Sequence, residues 1–149
     1  LILENPYTRN QQYPNRNLIV TENLVNVLII AVFADGKIDT EEAVLLQNFF
    51  SHYPNFSDVS RDSFQQAQVK LRNRLRSGEN INQLIEEIGN SLDEKQRNTA
   101  FALAYEICAS NFEIDQQETE LLKNMKKIWK IKQSIVNAVT LSVELRYVN

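Results

Sequence analysis

Three glycines and three prolines are all that punctuate these 149 residues. A chain of this length with average usage carries roughly 18, at about 12% of residues. Sandwiches, barrels and doubly wound sheets spend glycine and proline on their many turns, so this scarcity favours helices joined by short loops. The length suits one domain, large enough to close a core without disulfides or a structural metal. An apolar content of 43% argues against disorder. One cysteine and one histidine exclude an internal disulfide and the usual structural zinc sites. A serine or cysteine triad would need His52 as its base.

Residues 1–16 hold Pro6 and Pro14 without lasting periodicity and read as an irregular arm ahead of a single domain over 17–149. Residues 18–34 are apolar almost all round, which predicts a helix buried on most sides. Asp35 and Gly36 stop it, with Gly36 suited to the left-handed position after a helix. Asp39, with Glu42 three residues on, has the spacing of a capping box and opens a second helix with the stripe Val44, Leu45, Phe49 and Tyr53. Further helices are predicted over about 60–75, 80–91, 93–109, 115–129 and 132–147. The fold expected is an all-α bundle of seven helices.

Shifted by 76 residues, the chain partly matches itself. Ile38, Asp39, Glu42, Leu45 and Leu46 fall on Ile114, Asp115, Glu118, Leu121 and Leu122, and Asp35 falls on Asn111. Each copy reads as a buried helix, an acidic loop and a capped helix. Such a duplication predicts that the two buried helices lie side by side about a pseudo-two-fold axis. Ala100, Ala102, Ala104 and Ala109 are small enough to let their backbones approach.

The first loop, Ala34-Asp35-Gly36-Lys37-Ile38-Asp39-Thr40-Glu41-Glu42, resembles the TerB-like tellurite-resistance family. Its weaker echo is Ser110-Asn111-Phe112-Glu113-Ile114-Asp115-Gln116-Gln117-Glu118. The family pattern is an A-D-G loop followed by a helix-borne glutamate, occurring twice, and the second copy here departs from it with Asn-Phe. The resemblance extends over roughly 20–147 in helix count and order, and the two loops are its specific part. It implies an all-helical, non-enzymatic binding or scaffold domain of the stress-response type, associated with tellurite, phage and colicin resistance. It further implies divalent-cation binding through acidic surfaces and partners within membrane-associated assemblies.

The residues themselves give the acidic loops two readings. Asp35, Asp39 and Glu42, with Asn111, Asp115 and Glu118 from the second copy, offer hard oxygen ligands suited to calcium, magnesium or manganese. An EF-hand loop is excluded, because its first and third positions would be Ala31 and Phe33. Helix capping accounts for Asp39 with Glu42, and for Asp115 with Glu118, without any ion. Asp35 differs, since an acid near a helix C-terminus needs compensation from Lys37, turn backbone or a cation. The rival function is a metal-dependent enzyme acting on a phosphorylated or oxyanionic substrate.

Charge alternates in blocks: +4 over 61–78, −8 over 79–120 and +5 over 121–149, within a net −3. That pattern excludes a generally basic nucleic-acid footprint and suits separate acidic and basic faces for protein partners, or for a second copy in a homo-oligomer. Lys70, Arg72, Arg74 and Arg76, like Lys123, Lys126, Lys127, Lys130 and Lys132, load helix C-termini, where cations complement the dipole or meet an anionic partner. Cys108 reads as an inert buried thiol and Trp129 as a core anchor. The longest apolar run, 27–34, falls far short of the roughly 18 residues that span a bilayer. No segment reads as a signal peptide, and the expected location is the cytoplasm, at most peripheral to a membrane.

Overall fold

The computed structural model describes residues 14–33, 56, 59–109 and 114–147. Among them stand six helices: α1 (Pro14–Phe33), α2 (Arg61–Arg76), α3 (Ile81–Asn90), α4 (Glu94–Ala109), α5 (Gln116–Ile128) and α6 (Gln133–Tyr147). No strand occurs among the described residues, so the all-α class holds. The helix predicted from Asp39 and the Asp35–Gly36 stop lie outside the described residues.

Local chemistry sets most of the boundaries. Ser60 caps α2 by accepting the Ser63 N–H at 3.1 Å, and Asn80 caps α3 by accepting the Asn82 N–H at 2.8 Å. Asp93 and Gln96 exchange backbone-to-side-chain bonds of 2.8 and 2.9 Å at the start of α4, a complete capping box. One expectation is corrected. The arm over 1–16 is too long, because α1 already begins at Pro14. Proline is well suited to the first helical position, where its missing N–H would have no partner and its φ is preset.

The core is built on α1. Leu24, Val25, Val27, Leu28, Ile29, Ile30 and Ala31 are all buried there, as a helix apolar almost all round requires. Its most extensive partner is α4, so the two apolar helices lie side by side as expected. Ala100 and Ala104, four residues apart on one face of α4, have no exposed surface, whereas Ala102 is only half-buried. Around this pair, α2 packs on α1 and α6 packs on α4, while α3 is held mainly by α5. No described helix is long and apolar enough to cross a membrane.

Candidate functional site

Of the six residues expected to gather around a cation, Asp35, Asp39, Glu42 and Asn111 lie outside the described residues, as does His52. Asp115 and Glu118 are described, and they form a capping box. The Asp115 carboxylate accepts the Glu118 N–H at 2.7 Å, and Glu118 Oε1 accepts the Asp115 N–H at 3.2 Å. These bonds satisfy donors that α5 would otherwise leave open. Among the described residues, no three His, Cys, Asp or Glu side chains converge as a metal-binding group.

Glu118 is the one buried charged residue among those described. Burial holds its carboxyl above the usual glutamate range, and the nearby Asp115 charge acts the same way. The Asp115 N–H and the Cys108 thiol, which donates to the same carboxylate, pull it down in part. Cys108 is fully buried, and its thiol is engaged with the Glu118 carboxylate. The expectation of an unreactive cysteine therefore acquires a physical cause that the sequence did not supply.

Two of the four residues of the first basic cluster, Arg72 and Arg74, are tied into the fold. Arg74 Nε donates to Glu79 at 2.7 Å, and its Nη2 donates to Glu87 at 3.0 Å. These bonds raise the guanidinium pKa and lower that of Glu79. Arg72 lies over the Phe33 ring, 5.6 Å from its centre. Beside Arg74 and Glu87, a polar notch of about 120 Å³ also receives Asn23 and Asn26 from α1.

The second cluster divides. Lys126 donates to Gln133, and Lys132 forms an exposed pair with Glu94 at 3.2 Å. Lys127 and Lys130 instead border an open groove of about 660 Å³ between α3 and α5, with Arg97 contributed by α4. Its floor holds Trp129, which is 4% exposed and donates its indole N–H to the Ile85 carbonyl at 2.8 Å. Trp129 is thus the core anchor expected. Gly89 makes this packing possible, since a Cβ there would stand 2.4 Å from Trp129 Cδ1. Arg97 is fixed by its Nε–H, which donates to the Gly89 carbonyl at 2.8 Å.

Sequence reasoning missed this groove. The available signal was polar residues recurring on the outer face of α3, at Asn82, Gln83, Glu86 and Asn90, opposite buried Leu84, Ile85 and Ile88. The chain matches no family model, no curated protein and no solved structure.

Proposed function

We propose that this chain is a non-enzymatic binding or scaffold domain of the TerB-like, stress-response type. In this reading it works in the cytoplasm with protein partners of membrane-associated assemblies. It is built on a repeat with an offset of 76 residues, and a seventh helix over about 39–53 completes the bundle. The observation that carries this reading is the packing order. α1 and α4, equivalent under the offset, form the central pair, and α2 packs on α1 as α6, its approximate counterpart under the offset, packs on α4. α3 falls between the copies.

The same equivalence assigns Asp39 and Glu42 the capping role that Asp115 and Glu118 play at α5. Asp35 remains as the acid without a capping duty. In this reading it holds a divalent cation weakly, with Asn111 and the carboxylates of the two capping pairs. Calorimetric titration of chelator-treated protein with calcium, magnesium and manganese tests the claim. Saturable binding that Asp35→Asn weakens at least tenfold, about 1.4 kcal/mol, is expected. Absence of heat and of any thermal shift, with Asp35→Asn neutral or stabilising, would remove the cation and leave Asp35 as turn chemistry.

A further inference from the structure

We infer that the groove between α3 and α5 is a docking site for a short acidic peptide segment in extended conformation. This names a partner class for a binding domain and so rests on that reading, but it does not involve the acidic loops. The two titrations fail independently.

Charge is the first observation. Arg97, Lys127 and Lys130 meet a single acid, Glu86, at the groove, although the whole chain is net negative. None of the three cations has an ion-pair partner among the described residues, whereas Arg74, Lys132 and Arg146 all do. Arg97 is oriented by its single bond to Gly89, which leaves its two terminal amino groups to receive a carboxylate in the planar, two-point manner of guanidinium. Arg97 is tied to Gly89 near the end of α3, and Glu86 lies about one turn earlier, so a peptide carboxylate should meet Arg97 at that end.

The second observation is the amide lining. Asn82, Gln83, Asn90 and Asn124 carry carboxamides that make no hydrogen bond among the described residues. Each offers a donor and an acceptor, the complement of a peptide main chain. From Asn82 to Asn90 the groove follows about 12 Å of helix, at about 1.5 Å per residue. An extended chain of about four residues covers that distance.

Backbone conformation is the third. Lys130 adopts φ 54, where glycine is the usual residue, so its charge stands at the groove's edge at a conformational cost. A nucleic acid fits less well, because the one groove aromatic is buried and already hydrogen-bonded, leaving no face for stacking. A membrane surface fits less well too. The exposed large apolar residues Val69, Leu141 and Leu145 are not among those lining the groove.

The test uses an acetylated octapeptide of alternating glutamate and glycine, followed by fluorescence of the single tryptophan on the groove floor and by calorimetry. We expect saturable binding at low salt that Lys127→Glu with Lys130→Glu weakens at least about tenfold. Lys123→Glu, an exposed change on the same helix outside the groove, should stay within about twofold of the parent. Lys130→Gly should weaken binding while raising the melting temperature, which separates loss of charge from loss of fold. The proposal is overturned by no saturation up to about 1 mM, by equal binding of the glutamine version of the peptide, or by equal loss in Lys123→Glu. Groove-dependent binding to phosphatidylserine vesicles, with none to the peptide, would overturn it in favour of a membrane.

Discussion

Helices α2 and α5 end alike on the backbone and are sealed in opposite ways. At α2 the Glu79 N–H donates to the Arg74 carbonyl at 3.3 Å and the Gly78 N–H to Leu75 at 3.2 Å. At α5 the Ile131 N–H donates to Lys126 at 3.0 Å and the Lys130 N–H to Lys127 at 3.3 Å. Both are Schellman endings, each with one left-handed residue, Gly78 at φ 91 and Lys130 at φ 54. The seal at α2 is ionic and exposed, with Glu79 turned back onto Arg74. The seal at α5 is apolar, with Trp129 and Ile131 buried on either side of Lys130. Glycine makes the turn at α2 without help from its surroundings. At α5, packing on both flanks holds a residue with a Cβ in the same region, and the turn can therefore carry a charge.

The largest effect should come from breaking the apolar seal. Gly89→Ala drives a methyl into the Trp129 ring, which is buried and tied to Ile85, so the ring cannot retreat cheaply. A loss of about 2 kcal/mol is expected from urea unfolding, with a changed near-ultraviolet signal from Trp129. Unchanged stability would mean that α5 does not depend on that contact. Gly78→Ala should cost about 1 kcal/mol, although the space around Gly78 is open, because the penalty is conformational. Lys130→Gly should run the other way. Relief of the left-handed strain exceeds the added entropy of the unfolded chain, for a net gain of about 0.5 kcal/mol. Thermal unfolding decides it, and a loss instead would assign the Lys130 side chain a structural duty.

How legible these ends were follows from the range of the interactions. Ser60, Asn80, Asp93 and Asp115 each bond within three residues, so the starts of four helices could be read from spacing. Pro14 misled because proline is read as a breaker, although it opens α1. The end of α5 gave no glycine signal, since its turn is held by Trp129 and Ile131. Gly89 acquires its meaning only from Trp129, forty residues along the chain. The groove is likewise invisible to any window, because α3, α5 and Arg97 meet only through tertiary packing. Asp115 and Glu118 were legible as a cap for the opposite reason. The hydrogen bond between Cys108 and Glu118 was not.

The smallest expected effect compares two capping boxes in the same way. At α4 the reciprocal arm is neutral Gln96, whereas at α5 it is Glu118, 8% exposed. Burial, the largest influence, raises the Glu118 carboxyl above its ordinary value in the folded protein. Between the unfolded and folded pKa values the folded state therefore binds more protons than the unfolded one. Stability contributed through Glu118 is complete below the ordinary glutamate value and declines as pH rises through the raised one. Glu118→Gln keeps an oxygen to accept the Asp115 N–H and removes the titration. It also removes a negative charge from a helix N-terminus, which opposes the gain from avoiding a buried charge. At neutral pH the two effects should leave stability within about 0.5 kcal/mol of the parent. Urea unfolding from about pH 4 to about pH 8 should show the variant gaining stability relative to the parent as pH rises. Parallel curves would mean that the Glu118 carboxyl titrates alike in both states, and that burial at this box costs the charge nothing.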